Sequence, residues 1–228
     1  MDKNLQEFKK LHDIFKANGF SLYLVGGTVR DYLCQKELID MDAVTDAKPE
    51  TLKLFLSDAD FTFSRFGSVS YKTTSGLKFD ITTMRKEKAY VDSRHPGYIK
   101  FVNKLRTDVK RRDFTINALY LDNNLKVIDY VGGQKDLQNR ILRMIGKPDK
   151  RLKEDPLRII RALRFVIDYD LVIDKKLEKS IRKNIDLLNK LNPTKIEQDI
   201  KKIKNQNQDQ IIKVFDNYGI KQYLEVVE

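Results

Sequence analysis

The sequence predicts an α+β fold, in which a small mixed β-sheet with helices is followed by an all-helical part. Short apolar runs that alternate with polar residues, as strands do, occur up to Ile128. After Arg151 the chain has helical periodicity to its end, with breaks at residues 169–170 and 192–193. A chain of 228 residues that is 41% hydrophobic can form one substantial core, or a medium domain with a smaller helical appendage.

Apolar spacing and turn residues define the elements of the first part in order. An amphipathic helix ends at Gly19, and the strand that follows runs into the turn Gly26-Gly27. Further along, Thr74-Ser75-Gly76 is typical of a hairpin turn. The predicted elements are a helix (1–19), a strand (21–25), a helix (29–32), a strand (39–45), a helix (49–56), a hairpin (69–73 with 77–83) and a hairpin centred on 122–124.

Three later segments are predicted as helices from the spacing of their side chains. In residues 111–117 (RRDFTIN), Asp113 and Asn117 are separated by one helical turn. Residues 154–164 carry arginines at every third position opposite an apolar side. Residues 195–210 are lysine-rich but keep isoleucines at helical spacing, which predicts a solvated amphipathic helix.

Charge and cysteine content narrow the class of protein. The chain has 44 Lys and Arg against 33 Asp and Glu, a net charge of +11, which favours nucleic acid as a partner; surplus lysine that only maintains solubility is the alternative. Cys34 is the only cysteine, which excludes an intramolecular disulfide and fits a reducing cytoplasm. No segment resembles a signal peptide or a transmembrane helix, so we expect a soluble protein with no membrane partner.

Asp40 and Asp42 are candidates for a metal site. Two positions apart on a predicted strand, they project from the same face, so their carboxylates can converge on a hard cation such as Mg²⁺. Their neighbours in the sequence are apolar. In such surroundings, burying two like charges without a partner would be costly. Asp80 offers a third carboxylate if its strand is adjacent. The alternative is that these are ordinary surface aspartates, with Asp80 paired to a lysine.

Two further segments could contact a nucleotide. Residues 26–31 (GGTVRD) follow a strand and open a helix, so backbone amides and Arg30 could face a polyphosphate, although the spacing is neither that of a dinucleotide fingerprint nor that of a P-loop. Asp113 and Asn117 could bind ribose hydroxyls while an arginine meets phosphate. The alternative for residues 26–31 is an ordinary glycine turn. The alternative for Asp113 and Asn117 is an exposed, charged helix start.

The segment 154–164 carries a third set of polar groups. On the predicted helix Asp155, Arg158, Arg161 and Arg164 lie along one side. Because Asp accepts and Arg donates hydrogen bonds in a fixed plane, an adjacent pair can present a base-pairing edge to a nucleobase. A surface helix stabilised by acid–base pairs would show the same spacing.

Taken in order, residues 26–31, 40–42, 111–118 and 154–158 resemble the motifs of the bacterial CCA-adding enzyme and poly(A) polymerase family, over roughly residues 19–165 and more weakly to about residue 224. The resemblance implies a nucleotidyltransferase head (1–145) and a helical neck (146–228). It implies template-independent addition of C, C and A to the 3′ acceptor end of tRNA from CTP and ATP, with release of pyrophosphate. Poly(A) or A-only addition, and an RNA-binding form without efficient catalysis, are the alternatives.

The same resemblance implies a role for each candidate residue. Two Mg²⁺ ions would be held by Asp40 and Asp42, with Asp80 as a nearby acidic catalytic residue. The nucleotide-binding residues would be Gly27 and Arg30 at the triphosphate, Arg112, Asp113 and Asn117 at the triphosphate and ribose, Asp155 and Arg158 at the base edge, and Arg161 and Arg164 as further contacts.

Three features qualify the resemblance. Residues 90–96 resemble the flexible loop used in switching from C to A addition, and no proton-transfer role is assigned to His95. Cys34-Gln35 departs from the family pattern before the catalytic strand. Family members continue beyond the neck into helical domains that grip tRNA, so we expect either a compact enzyme or a shortened form, with RNA affinity supplied by the lysine-rich C-terminal helices and weakened by salt. The oligomeric state stays open.

Overall fold

Six strands from the first part of the chain form one mixed sheet. The computed structural model describes residues 2–39, 41–90 and 96–224. The strands are β1 (Leu22–Val25), β2 (Met41–Thr45), β3 (Ser68–Lys72), β4 (Lys78–Thr83), β5 (Arg85–Tyr90), β6 (Pro96–Phe101), β7 (Leu119–Leu121), β8 (Val127–Asp129), β9 (Ile141–Leu142) and β10 (Val172–Ile173). The order in the large sheet is β3-β4-β2-β1-β7-β8, in which β2 and β4 are parallel and the other neighbours antiparallel. Strands β5 and β6 pair separately.

The described part of the chain also contains ten α-helices. They are α1 (Lys3–Ala17), α2 (Gly27–Leu33), α3 (Pro49–Leu52), α4 (Leu105–Asp108), α5 (Gly133–Gln138), α6 (Pro148–Glu154), α7 (Leu157–Tyr169), α8 (Lys175–Asn184), α9 (Pro193–Ile200) and α10 (Gln208–Asp216). The chain divides into two compact units, one of residues 1–88 and 98–134 and one of residues 89–97 and 135–228. The predicted boundary between head and neck at residues 145/146 stays a prediction.

A large apolar cluster of the first unit lies on one face of the sheet. Buried residues of α1, including Phe8 and Phe15, belong to the same apolar cluster as Met41 on β2 and Phe79 on β4. Side chains alternate between the two faces along a strand, so the positions between these core residues point away from α1. The alternation therefore places Asp42 of β2 and Asp80 of β4 on the opposite face.

The second unit is built around α7. This helix contacts α9 and α10, and α6 contacts α8. Its buried residues include Ile159, Ile160 and Leu163, as the apolar spacing predicts. Strand β10 pairs in parallel with β9 through Val172 and Ile141. The helical periodicity of this region does not predict this small sheet.

The mixed α+β architecture is confirmed, but the long helix predicted over 195–210 is wrong. Helix α9 ends at Ile200 and α10 begins at Gln208. Between them the backbone N–H groups of Lys204 and Asn205 donate to Oδ1 of Asp168 at 2.8 and 3.1 Å. These N–H groups are satisfied outside a helix, so the chain does not need a helix there.

None of the helices in residues 2–39, 41–90 and 96–224 is long and apolar enough to cross a membrane.

Candidate active site

Asp42 lies directly beside Asp80 on the sheet face opposite α1. The two residues are Cα partners on the parallel strands β2 and β4, and such neighbours are about 4.8 Å apart with their side chains on the same face. Asp80 is therefore adjacent to Asp42, as a third carboxylate of the predicted metal site must be. Asp80 is also paired with Nζ of Lys78 at 3.0 Å, an exposed contact. Asp40 lies outside the described residues.

The glycine turn after β1 approaches Asp42 from the other side. Gly26 has φ +66°, a conformation that side chains disfavour. A Cβ on Gly27 would lie 3.4 Å from Nη2 of Arg30 and 3.6 Å from Oδ2 of Asp42. The backbone N–H of Asp42 donates to Oγ1 of Thr28 at 2.7 Å, which joins the turn to β2. Gly27 thus leaves a small space between a guanidinium group and a carboxylate that a Cβ would fill.

Arg30 and Asn117 meet in the first unit, although the sequence placed them in separate motifs. Nη1 of Arg30 donates to Oδ1 of Asn117, and Nη2 of Arg30 donates to Oδ1 of Asp31 at 3.1 Å. Both Arg30 and Asn117 are buried. The guanidinium group is consequently held in a fixed position beside the glycine turn.

The helix predicted over 111–117 is wrong. Two 3₁₀ turns, Val109–Arg111 and Thr115–Asn117, flank extended backbone at Arg112 and Phe114. The side chain of Asp113 accepts the backbone N–H of Phe114 at 2.8 Å, so this donor is satisfied without a helical carbonyl. Asp113 and Asn117 are both buried, but the shared helix face proposed for them does not exist.

Arg112 is bound to a buried carboxylate that the sequence analysis missed. Nη2 of Arg112 lies 2.9 Å from Oδ2 of Asp108, and the same oxygen accepts the hydroxyl of Tyr120 at 2.9 Å. Oδ1 of Asp108 accepts Nε of Arg111 at 2.8 Å and the backbone N–H of Arg85 at 3.1 Å. The spacing of Asp108 to Arg111 and Arg112, three and four residues, was the signal that could have revealed this contact.

The electrostatics around Asp108 favour its ionised form. Burial raises the pKa of this carboxyl, but the charges of Arg112 and Arg111 and the hydrogen bonds outweigh burial, so the pKa lies below its usual range. Burial also raises the pKa of Tyr120 above its ordinary value. Asp108 therefore stays charged and the Tyr120 hydroxyl stays protonated, which keeps the network intact at neutral pH.

The prediction that Asp155 lies within a helix of the second unit is wrong. Asp155 ends α6 with an extended backbone, and Pro156 precedes α7. Proline disfavours the helical conformation of the residue before it, which explains the break. Oδ1 of Asp155 accepts the backbone N–H of Leu157 at 3.1 Å, and Oδ2 lies 3.8 Å from Nε of Arg158. The predicted Asp–Arg pair is present in a loose form.

The arginines of α7 are less exposed than a solvated stripe would be. Arg158 and Arg164 are buried, and Nη1 of Arg158 donates to the carbonyl oxygen of Arg151 at 2.6 Å. Nη1 of Arg164 donates to Oδ1 of Asp199 on α9 at 3.3 Å. Arg161 lies over the ring of Phe165, with its guanidinium carbon 5.8 Å from the ring centre. Arg158 and Arg164 thus contribute to the internal structure of this unit.

The donors available for a metal are oxygens. Among residues 2–39, 41–90 and 96–224, no group of three or more His, Cys, Asp and Glu side chains is arranged to hold a metal ion. The carboxylates of Asp42 and Asp80 are neighbours on one face, and hard oxygen donors of this kind suit Mg²⁺.

Comparisons with known proteins find relatives that are similar in sequence and in fold. Residues 22–143 match the family described as the Poly A polymerase head domain. A CCA-adding enzyme of Lactobacillus helveticus is 40% identical over 185 residues, which are 81% of this chain and 46% of that protein. The crystal structure of Bacillus stearothermophilus CCA-adding enzyme in complex with CTP is similar with a TM-score of 0.88 at 29% identity, covering 98% of this chain and 54% of that one.

A third similar structure is the Thermotoga maritima CCA-adding enzyme complexed with tRNA. Its TM-score is 0.77 at 25% identity, and the match covers 98% of this chain and 53% of that one. The chain therefore spans about half the length of the relatives it matches.

Proposed function

The chain belongs to the Poly A polymerase head domain family, and we propose that it is a template-independent nucleotidyltransferase that adds C, C and A to the 3′ acceptor end of tRNA from CTP and ATP. The main structural support is the position of Asp42, with the Gly26-Gly27 turn and Arg30 on one side and Asp80 on the other. A carboxylate between a phosphate-binding turn and a second carboxylate suits transfer of a nucleotide. A cytoplasmic location stays a prediction from the single cysteine.

In this proposal Asp40 and Asp42 hold Mg²⁺, which when bound activates the RNA 3′ hydroxyl and neutralises charge on the triphosphate. Enzymes of this class typically use divalent metal ions, and the neighbouring carboxylates of Asp42 and Asp80 fit such an ion. Asp80 orients the attacking hydroxyl. The hydroxyl loses its proton to solvent as its oxygen bonds to the α-phosphorus, and the bond from that phosphorus to pyrophosphate breaks.

The other residues bind and orient the nucleotide. Gly27 lets the triphosphate approach the backbone, and Arg30, held by Asn117, balances its charge. Asp113 and Asn117 contact the ribose, while Arg112, fixed by Asp108, adds positive potential near the triphosphate.

Base selection belongs to the second unit in this proposal. Asp155 and Arg158 present acceptor and donor groups to the base edge of CTP or ATP, with Arg161 and Arg164 as further contacts. In this proposal residues 1–145 are a catalytic head, and residues 146–228 are a neck that binds the base and the RNA.

The test is a nucleotide-incorporation assay with a tRNA lacking its 3′ CCA. The protein is incubated with Mg²⁺ and with CTP or ATP, separately and together, and the added residues are sequenced. Ordered addition of C, C and A supports the proposal. A tail of A alone would replace it with polyadenylation, addition of a single A only after a preformed CC end would indicate an A-adding enzyme, and RNA retention without incorporation would indicate a binding form.

A further inference from the structure

A cavity of about 330 Å³ lies on the sheet face that carries Asp42 and Asp80. Its walls include Asp80 and Ser70 from the sheet, Asp60 from the preceding segment, and Phe63 and Phe66. None of these residues except Asp80 is used in the proposed mechanism. A volume of this size is in the range of small-ligand pockets and is large enough for one nucleoside.

The strand pairing places this cavity next to the reacting centre. Asp42 pairs with Asp80, Asp80 with Ser70, and Ser70 with Asp60, so the four residues form a row across the strands. Neighbours in such a row are about 4.8 Å apart. The cavity therefore begins one strand away from Asp42.

The order of the strands separates this cavity from the triphosphate position. Strand β1, which leads into the Gly26-Gly27 turn, pairs with β2 on one edge, whereas β4 and then β3 lie on its other edge. Asp42 on β2 thus has the glycine turn and Arg30 on one side and the cavity on the other. In nucleotidyl transfer, the 3′ end of the RNA attacks the α-phosphorus from the side opposite the rest of the triphosphate.

We infer that this cavity binds the 3′-terminal nucleoside of the RNA that is extended, an inference that rests on the proposed nucleotidyl transfer. Phe63 offers an exposed ring, 61% accessible, for stacking on the base. Its backbone carbonyl accepts the N–H of Phe66 at 2.9 Å, so a 3₁₀ turn holds the ring-bearing residue in place.

The polar lining suits a nucleoside end without a phosphate. Asp60 and Asp80 carry carboxylates that accept hydrogen bonds from ribose hydroxyls and repel a phosphate. The exposed pair of Asp80 with Lys78 is weak enough to rearrange when a hydroxyl binds. Arg65, whose guanidinium carbon lies 4.6 Å from the centre of the Phe66 ring, provides a cation beside the cavity for the phosphate of the preceding nucleotide.

Steady-state kinetics test this subsite with Phe63→Ala, Phe63→Trp and the control Leu54→Ala, which removes an exposed apolar side chain (82% accessible) outside the cavity. Phe63→Ala should raise KM for the RNA by about 5- to 150-fold, the effect of losing one base–aromatic stack, and leave KM for CTP unchanged. Phe63→Trp should restore KM, and Leu54→Ala should match the wild type. An increase in KM for CTP instead, or no change in either KM, would overturn the inference.

A crosslinking measurement separates this inference from the proposed function because it needs no turnover. An acceptor minihelix that lacks CCA and ends in 4-thiouridine is irradiated with the wild-type protein, and the crosslinked peptide is identified by mass spectrometry. A crosslink within residues 60–70, reduced by a 3′-phosphate on the RNA, supports the subsite even if no nucleotide is incorporated. Crosslinks confined to other segments overturn it even if CCA is added.

Discussion

Nη1 of Arg30 donates a hydrogen bond to Oδ1 of Asn117, which lies 87 positions further along the chain. The bond joins the helix after the glycine turn to the 3₁₀ turn that precedes β7. Because both side chains are buried, the position of the Arg30 guanidinium group depends on Asn117. Two segments that look independent in the sequence are therefore joined by a buried hydrogen bond.

Asn117→Ala should weaken nucleotide binding by releasing Arg30. Hydrogen bonds to a charged group contribute about 1.5–3 kcal/mol, so KM for CTP should rise about tenfold or more. The measurement is steady-state incorporation of CMP at varied CTP. Asn124→Ala, at an exposed hairpin position, is the matched control and should have no effect. An unchanged KM in folded Asn117→Ala would show that Arg30 is positioned by other contacts.

Asp108→Asn should destabilise the first unit because it leaves the Arg112 charge buried without its counter-charge. Breaking a buried ion pair in this way costs about 3–5 kcal/mol. Urea denaturation at pH 7 measures the loss of unfolding free energy. Asp58→Asn removes an exposed carboxylate and serves as the control.

The cost of Asp108→Asn should depend on pH. The pKa of Asp108 is lower in the folded protein than its unfolded value of about 3.9, so the carboxylate stabilises the fold above that value and loses its contribution as the pH falls towards the folded pKa. The difference between the wild type and the variant should be full at pH 7 and shrink below about pH 4. A difference that is constant with pH would contradict an ionic origin.

Gly27→Ala should impair catalysis without unfolding the protein. The new methyl group would lie 3.4 Å from Nη2 of Arg30 and 3.6 Å from Oδ2 of Asp42, an ordinary contact that strains nothing but occupies the space assigned to the triphosphate. A displacement of the nucleotide of this kind should lower kcat/KM for CTP by about 10- to 100-fold. Thermal unfolding should be nearly unchanged. Full activity in this variant would show that the triphosphate does not bind at the turn.

Asp42→Asn should abolish incorporation while RNA binding persists. In the proposed role Asp42 binds the metal, so losing its carboxylate removes several kcal/mol of transition-state stabilisation, about a thousandfold or more in rate. Incorporation and RNA binding by gel shift are measured on the same preparation, with Asp58→Asn as the control for loss of a charge. Unchanged turnover in Asp42→Asn would exclude the proposed metal role.

Asp155→Ala should relax the choice of nucleotide. Removing the acceptor beside Arg158 leaves the base edge with fewer matching groups, so incorporation of GTP or UTP should rise relative to CTP and ATP. Competition assays with mixed nucleotides give the ratio directly. If discrimination were retained, the base would be selected by other residues.

Much of the local structure could be predicted because it depends on local causes. Apolar spacing identified α1 and most of α7, and Gly26-Gly27 marked the turn between β1 and α2. The failures at 111–117 and 195–210 share one cause. There, side chains such as Asp113 and the more distant Asp168 take up backbone N–H groups that a helix would otherwise use, and periodicity does not report such competition.

By itself the sequence determined which residues could take part in chemistry: the aspartates of β2 and β4, the glycine turn, and the polar residues around 113–117 and 155–164. Only the tertiary structure decided that Asp42 and Asp80 are in register, that Arg30 reaches Asn117, and that Arg112 is held by Asp108. The physical reason is that strand order and register follow from how the whole sheet packs against its core, and no local pattern specifies them. The same sheet order places a cavity, with Phe63 at its wall, on the far side of Asp42 from the glycine turn.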